Sequence, residues 1–296
     1  MEAPFLTVIA GPTASGKTAA ALRLARAQGA EIISADSQQV YRYFDIGTAK
    51  PFHDELSEVP HHLISVVDPL EPFSAREFQR RADAAISEIA ARGRRVVVVG
   101  GTGLYLRALL HGLLDAPGAN PELRAELEAQ AAREGRESVH RQLSLVDPDT
   151  AARLPVKDLV RVIRALEIHA ATGRPASESR RDHAFAAKRY PFELLVLDPP
   201  REQLYEIINA RTRAMYAAGL VEEVEALLAR GYGEAAAMRC VGYVQARAVV
   251  EGRMGLDEAI AATSQETRHY AKRQMTWFRK EPGARHVQAS FFAGPS

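Results

Sequence analysis

The chain has a single cysteine, Cys240, among its 296 residues. One cysteine excludes an internal disulfide and any zinc cluster built on cysteine ligands, and it suits a reducing compartment. The sequence also lacks an apolar run of about 18 residues, so it predicts no membrane span. Its start, Met1-Glu2-Ala3-Pro4, has neither the basic region nor the cleavage site of a signal peptide. We therefore expect a cytoplasmic protein with no membrane partner.

The chain also has almost no net charge, because 38 Lys and Arg residues face 37 Asp and Glu residues and the formal charge at pH 7 is +1. This average gives no sign of a nucleic-acid partner. Near the C-terminus, however, six basic residues stand against one acid, Glu281. The six are Arg268, Lys272, Arg273, Arg279, Lys280 and Arg285. A local basic face of this kind can bind phosphates although the whole chain is neutral.

Hydrophobic patterning predicts an α/β core of ordinary size, since 47% of the residues are hydrophobic. Short apolar runs without polar alternation are typical of parallel strands covered by helices on both faces. The predicted strands are Phe5–Ala10, Glu31–Ser34, Val96–Val99 and Phe192–Leu197. Helices are predicted over Thr18–Gln28, from the cap residue Ser74 to about Arg92, and from about residue 200 to Arg279 with breaks at glycines.

The predicted secondary structure changes between residues 116 and 190, where strand patterns are scarce. Pro121–Glu134 and Lys157–Thr172 predict helices, and Pro117-Gly118 marks one edge of the segment. We therefore expect residues 1–115 and 191–296 to form the core, with residues 116–190 as an all-helical insertion domain.

Gly11–Thr18 has the pattern G-x-x-x-x-G-K-[ST] between the first predicted strand and the first predicted helix. Glycines in such a loop let backbone N–H groups wrap an anion at the N-terminus of the helix. Lys17 would reach the outer phosphate, and the Thr18 hydroxyl would hold Mg²⁺. The predicted phosphate ligands are Gly11, Pro12, Thr13, Ala14, Ser15, Gly16, Lys17 and Thr18. The loop alone does not distinguish a nucleotide from a diphosphate ester.

Polar residues follow two other predicted strands. Asp36 is followed by Ser37, Gln38 and Gln39, and Thr102 lies in a Gly-Gly-Thr-Gly sequence after the third strand. Ligands of open α/β sheets lie beyond the carboxyl ends of the strands. We therefore expect Asp36 and Thr102 to face the same crevice as the phosphate loop. An isolated aspartate here would more often be a cap, but the neighbouring side-chain amides can read the edge of a base.

An ordered set of motifs over residues 5–280 resembles the tRNA dimethylallyltransferases (tRNA isopentenyltransferases). Besides the phosphate loop, the matching segments are Ile33–Arg42, Asp45–Pro51, Pro60–Ile64, Val99–Tyr105, Arg161–Ile168, Arg239–Tyr243 and Arg268–Arg279. The resemblance implies a P-loop NTPase-like core with a parallel sheet and flanking helices. One departure is Tyr43-Phe44, where the family usually carries a glycine and a methionine. The shape of this loop is therefore left open.

The resemblance implies transfer of a dimethylallyl group from dimethylallyl diphosphate to N6 of adenosine 37, next to the anticodon of tRNA. The products would be N6-(dimethylallyl)adenosine and diphosphate. Asp36 is the candidate base for the weakly nucleophilic amine. Thr102 would touch the adenosine or orient Asp36, and Arg211, which could otherwise be a solvated helix residue, would clamp the diphosphate beside Lys17. Mg²⁺ on Thr18 is the implied cofactor, and we expect a monomer.

The resemblance also implies contacts with the anticodon stem-loop in both domains. They are Asp36, Ser37, Gln38, Gln39, Thr102, Arg124, Val160, Arg161, Val162, Ile163, Arg164, Arg239, Cys240, Val241, Gly242, Tyr243, Val244, Lys272, Arg273, Gln274 and Arg279. The target adenosine has to flip out of the stack at a cost of roughly a few kcal/mol, and a grip on the single-stranded loop offsets that cost. For each basic residue alone, a solvated charged face is the more common role.

Other reactive residues receive no catalytic role. His61 and His62 have no partners at metal-ligand spacing, and Cys240 has no neighbouring His–Asp motif that would make it a nucleophile. Trp277 is expected to belong to the core rather than to a base-stacking surface.

Two other functions stay open at this point. A small-molecule kinase explains the phosphate loop equally well, but it does not explain the Asp-Ser-Gln-Gln motif or the basic C-terminal helix. An RNA-binding protein that uses a nucleotide as a switch predicts binding without a product. Transfer of a labelled dimethylallyl group to tRNA would distinguish all three.

Overall fold

A computed structural model describes residues 3–113, 117–178 and 188–292. The chain divides into two compact units. The core unit holds Met1–Leu110 and Lys188–Ser296, and the helical unit holds His111–Ala187. These limits lie a few residues from the expected boundaries after residues 115 and 190.

A parallel sheet forms the centre of the core unit, with six strands among the described residues. The strands are β1 Leu6–Ala10, β2 Ala30–Ser34, β3 His61–His62, β4 Arg95–Gly100, β5 Phe192–Leu197 and β6 Ala284–Val287. The four strands that were predicted are confirmed as β1, β2, β4 and β5, and their residues are mostly buried on both faces. The edge strands β3 and β6 were missed, because two histidines and an Ala-Arg-His-Val segment contain no apolar run.

The spatial order of the strands is β3-β2-β4-β1-β5-β6. The chain builds β2, β3 and β4 on one side of β1 and then β5 and β6 on the other side. The carboxyl end of β1 therefore lies where the direction of winding changes, which is the usual ligand crevice of an open α/β sheet. Together with the flanking helices, this topology confirms the predicted P-loop NTPase-like core.

Eight described helices belong to the core unit. They are α1 Lys17–Gln28, α2 His53–Glu58, α3 Ala75–Ala91, α4 Gly103–His111, α9 Arg201–Ala217, α10 Leu220–Ala229, α11 Tyr243–Val250 and α12 Leu256–Phe278. Ser74 caps α3 as predicted, because its hydroxyl accepts a hydrogen bond from the Glu77 amide over 3.2 Å. Gly219, Gly231 and Gly242 separate the last helices with positive φ angles. The described helices include none with the length and apolarity of a membrane-crossing segment.

The helical unit contains no strand among its described residues. Its helices are α5 Pro121–Glu134, α6 Arg136–Val146, α7 Pro148–Arg153 and α8 Leu159–Thr172. They pack around a core of their own that includes Leu127, Val139, Leu143 and Leu166. The described residues of this unit are therefore helical, as the sequence predicts, although α6 and α7 were not predicted individually.

The departure at Tyr43-Phe44 has a local explanation. Tyr43 has a φ angle of 70°, in the left-handed region that favours glycine. The Arg230 guanidinium lies 3.7 Å from the centroid of the Tyr43 ring, and the Tyr232 ring stacks at 5.8 Å. Phe44 is fully buried, 4.9 Å from the ring of Tyr243. The turn is therefore kept without glycine, and stacking offsets the strain.

We expect Tyr43→Gly to be more stable than Tyr43→Ala by about 1 kcal/mol, because both lose the stacking and only glycine relieves the left-handed backbone. The measurement is the free energy of unfolding in denaturant. At Glu225, an exposed position of α10, the same pair of substitutions should give the opposite order by about 1 kcal/mol. An alanine variant at residue 43 as stable as the glycine variant would contradict the strain.

Candidate active site

The phosphate loop forms an anion-binding concavity between β1 and α1. Ala14 and Gly16 have φ angles of 65° and 83°, which turn successive backbone amides to one side. The first turn of α1 contains no acidic residue, so the positive end of the helix is available to an anion. The Lys17 ammonium donates to the Pro12 carbonyl over 3.2 Å, which holds this side chain over the loop.

A second cation reaches the loop from α9. The Arg211 guanidinium donates to the Thr13 hydroxyl over 2.5 Å, although the two residues are 198 positions apart in the chain. Lys17, Thr18, Asp36 and Arg211 line one cavity of about 60 Å³. Burial lowers the pKa of Lys17 to about 8 although Asp36 attracts its charge, and burial lowers the pKa of Arg211 as well. Two desolvated cations beside one carboxylate make a site that an anion stabilises.

Asp36 lies in a turn just beyond β2. Its Oδ1 atom accepts hydrogen bonds from the backbone amides of Gln38 and Gln39 over 2.9 and 3.3 Å. Oδ2 has no hydrogen-bond partner in the described parts of the chain, so it can accept a proton or a hydrogen bond from a ligand. The turn therefore fixes the carboxylate and leaves one oxygen for chemistry.

Thr102 fixes the same turn from the end of β4. Its hydroxyl accepts from the Ser37 amide over 3.1 Å, and its own amide donates to the Ala35 carbonyl over 3.4 Å. The end of β4 can lie this close to the Asp36 turn only with glycine at residue 100, because a Cβ atom there would lie 2.1 Å from the Ala35 carbonyl oxygen. These contacts tie Thr102 to the turn that carries Asp36.

Gln274 and Gln39 were predicted to contact tRNA, but the structure gives their amides other partners. The buried Gln274 side chain accepts from the Thr13 amide over 2.8 Å and donates to the Gly101 carbonyl over 2.9 Å. Gln39 accepts from the Ser34 hydroxyl and donates to the carbonyls of Thr48 and Ala49. Backbone amides and carbonyls in a core need such partners, so both glutamines have a structural role, and their contact with tRNA stays a prediction.

Three more predicted tRNA contacts have buried side chains. Val162 and Ile163 belong to the core of the helical unit, because helical periodicity turns them inward. Tyr243 is fully buried and donates to Glu223 over 2.5 Å. Gly242 is buried beside it. The side chains of Val162, Ile163 and Tyr243 are therefore not available to RNA, which corrects the expectation for these three residues. For Gly242, a contact through the backbone stays a prediction.

Two predicted arginines are engaged inside the helical unit. Arg124 and Arg164 bind the fully buried carboxylate of Glu167 over 2.9 and 3.3 Å, and Arg164 also donates to the Pro117 carbonyl over 2.6 Å. These contacts hold α5 and α8 together and fix the residues at Pro117 that precede α5. Both guanidinium groups remain half-exposed, so an RNA contact stays a prediction for them.

The other predicted RNA contacts keep some exposure. Val160, Arg161, Arg239, Val244, Lys272, Arg273 and Arg279 are exposed, whereas Ser37, Gln38, Cys240 and Val241 are half-buried. The exposed basic side chains of α8, in the helical unit, are compatible with phosphate contacts. The same holds for those of α12, in the core unit.

The residues that received no catalytic role have structural ones. His62 and Arg92 both bind the Glu31 carboxylate over 2.7 Å. Within the described residues, no group of three or more His, Cys, Asp or Glu side chains could hold a metal. Burial raises the pKa of the Cys240 thiol to about 12, so it is a poor nucleophile. Trp277 is partly buried against the hydrophobic core of the central sheet, which confirms that it belongs to the core.

A larger cavity of about 1270 Å³ adjoins the phosphate loop. Apolar side chains line much of it, among them Ile46, Phe52, Ile207 and Met215. None of these was assigned to the site from the sequence. The available signal was the matching segment Asp45–Pro51, which lines both this cavity and the smaller one.

Comparison with known proteins places this geometry in context. Residues 39–281 match the model of the family described as IPP transferase. A tRNA dimethylallyltransferase of Myxococcus xanthus (strain DK1622) is 72% identical over 283 residues, covering 96% of this chain and 92% of the relative. One of Anaeromyxobacter dehalogenans (strain 2CP-C) is 55% identical over 278 residues, with coverage of 94% and 93%.

Solved structures are similar over most of the chain. The full-length tRNA isopentenylpyrophosphate transferase from Bacillus halodurans gives a TM-score of 0.71 at 39% identity, covering 96% of this chain and 89% of that one. A eukaryotic dimethylallyltransferase described as acting on tRNA gives 0.84 at 27% identity, with coverage of 98% and 75%.

The lowered pKa of Lys17 predicts weaker binding of a diphosphate ester at alkaline pH. The free protein loses the Lys17 charge as the pH rises through about 8, so binding then has to take up a proton and affinity falls by up to about tenfold per pH unit. The ligand adds little to this change, because phosphate esters complete their ionisation with a pKa of about 6. The measurement is the Kd of dimethylallyl diphosphate from pH 7 to 9.5 in metal-free buffer.

Lys17→Arg is the control, because arginine stays charged over this range. Its Kd should vary less with pH than that of the unmodified protein. Parallel pH profiles for the two proteins would show that Lys17 does not titrate as its burial implies.

Proposed function

The chain belongs to the IPP transferase family, and on that premise we propose that it transfers a dimethylallyl group from dimethylallyl diphosphate to N6 of adenosine 37 in tRNA. The observation that carries the proposal is one cavity lined by a candidate base, Asp36, and by two cations, Lys17 and Arg211. This is what the reaction needs, because a proton has to be removed from the amine while a diphosphate anion leaves.

The leaving group is served by the phosphate loop. As the bond between C1 of the dimethylallyl group and the diphosphate oxygen breaks, negative charge grows on the diphosphate. In this proposal the Lys17 ammonium and the Arg211 guanidinium, both held at the loop, stabilise that charge together with the loop amides. Burial strengthens the effect, because water screens these charges less inside the cavity.

The nucleophile is the exocyclic N6 of the adenine. Its lone pair is delocalised into the purine, so the new bond between N6 and C1 forms more readily as a base removes a proton. Asp36 Oδ2 is the acceptor, while Oδ1 stays bound to the Gln38 and Gln39 amides. The products are N6-(dimethylallyl)adenosine, diphosphate and protonated Asp36, which returns its proton to water.

Mg²⁺ fits the residues of this cavity. The Thr18 hydroxyl lies in the first turn of α1 and lines the cavity with Lys17 and Asp36. Mg²⁺ takes oxygen ligands and often uses one or two protein groups together with phosphate oxygens and water, so Thr18 would hold it. When bound, the ion neutralises part of the diphosphate charge.

Recognition of tRNA is assigned to exposed residues of each unit. Arg161 on α8, and Arg239, Lys272 and Arg273 of the core unit, present charge that suits backbone phosphates. An adenosine flipped out of the anticodon loop would reach Asp36 with its loop gripped in this way. Action as a monomer in the cytoplasm stays a prediction from the sequence.

The transfer itself is the decisive experiment. Labelled dimethylallyl diphosphate and unmodified tRNA should give labelled N6-(dimethylallyl)adenosine at position 37. Asp36→Asn should lower the single-turnover rate at saturating substrates by roughly 10²–10⁴-fold, because asparagine keeps the shape but cannot take the proton. Both substrates should still bind within a few-fold of normal affinity.

Two controls keep this test sharp. Lys17→Ala should lose most transfer through weakened diphosphate binding, whereas Asp36→Asn should not weaken that binding. An Asp36→Asn protein that reacts at close to the normal rate once saturated would rule out the base, and no product with the unmodified protein would refute the function.

The affinity for tRNA should fall steeply with salt, and Arg161→Ala should lower the slope of log K against log salt by about one unit if it meets one phosphate. Arg161 is 70% exposed, and its partner Asp158 is 3.4 Å away. The matched control is Arg133→Ala, since Arg133 is 67% exposed in the same unit and is not a predicted contact. Equal slopes for both variants would show that Arg161 does not contact the RNA backbone.

A further inference from the structure

Segment 45–51 forms a wall of both cavities at the site. Thr48, Ala49 and Pro51 line the smaller cavity beside Lys17, and Ile46, Ala49 and Pro51 line the larger one. The sequence resemblance singled out this segment, but no step of the reaction uses its side chains. Its apolar groups lie beside the loop that holds the diphosphate, so they are placed to cover the group attached to it.

One carboxylate holds the start of this wall. Glu223 of α10 accepts hydrogen bonds at Oε2 from the backbone amides of Asp45 and Ile46, over 3.2 and 2.8 Å. Its other oxygen, Oε1, accepts from the Tyr243 hydroxyl over 2.5 Å. Burial and the neighbouring Glu223 raise the pKa of Tyr243, so this hydroxyl remains a donor. One oxygen of Glu223 therefore binds the start of segment 45–51, and the other binds Tyr243, against which the segment packs.

The support is a close contact between the segment and Tyr243. A Cβ atom on Gly47 would lie 2.4 Å from the Tyr243 ring, so only glycine lets the backbone lie against the ring. On its far side the segment is held by Gln39, which donates to the carbonyls of Thr48 and Ala49. The wall is thus held by Gln39 beside Asp36, by Glu223, and by its own buried Lys50 ammonium, which donates to the Tyr41 carbonyl over 2.6 Å.

The Glu223 anchor is separate from the reacting groups. Gln39 belongs to the same turn as Asp36, and its side chain accepts from the Ser34 hydroxyl at the end of β2, so changing it would disturb the support of the base as well. Glu223 has no place in the phosphate loop and none in the Asp36 turn. Its loss should therefore loosen the wall while the diphosphate clamp and the base keep their geometry.

We propose that Glu223 is a positioning residue that holds segment 45–51 against the dimethylallyl group of the donor. The inference rests on the proposed function, because it assumes a prenyl diphosphate in this site. It predicts that Glu223 contributes to recognition of the apolar part of the donor and not to recognition of its diphosphate.

The test compares Glu223→Ala and Glu223→Gln with the unmodified enzyme at saturating tRNA. We expect Glu223→Ala to raise the KM for dimethylallyl diphosphate by about 5- to 20-fold with kcat within about twofold, the pattern of lost uniform binding. The Ki of inorganic diphosphate, which lacks the prenyl group, should stay within about twofold. Glu223→Gln keeps one oxygen acceptor and should give an intermediate KM.

The matched control is Glu225→Gln, because Glu225 lies on the same helix and is exposed. It should leave all three constants unchanged. A fall in kcat at constant KM, an equal rise in KM and Ki, or no change in any constant would overturn the proposal. If Glu223→Ala does not fold, the KM-to-Ki comparison for Glu223→Gln decides in the same way. Failure of the proposed function would show separately, as the absence of transfer by the unmodified enzyme.

Discussion

The buried amide of Gln274 is the contact on which the site depends. It joins the Thr13 amide in the phosphate loop to the Gly101 carbonyl after β4, and so fastens two strand ends to the long helix α12. A Cβ atom at residue 101 would lie 2.4 Å from the Gln274 amide nitrogen, so the bridge requires glycine there. Because an unmet amide or carbonyl is costly in a core, the three elements are held at fixed distances.

Rigidity at these strand ends allows charges to be kept close without a ligand. Lys17 and Arg211 are buried together beside Asp36, and desolvation lowers the pKa of each cation. Two buried cations disfavour each other, and a bound anion stabilises both of them. Thr102, Ser37 and the amides beyond Asp36 prevent the carboxylate from simply collapsing onto the cations. The same charges, held in place before the reaction, can stabilise the negative charge of a leaving diphosphate.

Charged and polar residues in the matching motifs divide into two kinds. Some face solvent, as Arg161 on α8 and Arg239 do. Others hold the scaffold, as Glu167 does with Arg124 and Arg164, or Tyr243 with Glu223. A motif in the sequence marks both kinds alike, because losing a buried partner harms folding as much as losing a contact harms binding.

The sequence by itself determined the four central strands, the helical insertion, the phosphate loop and the placement of Asp36 at a strand end. Local rules suffice for these, since apolar runs, glycine spacing and caps act over a few residues. Only the tertiary structure decided that Arg211 meets Thr13, that Gln274 and Gln39 are internal bridges, that Val162 and Tyr243 are buried, and that Glu223 holds segment 45–51. Those facts depend on packing between elements far apart in the chain, and no local pattern records which buried polar group will meet which partner.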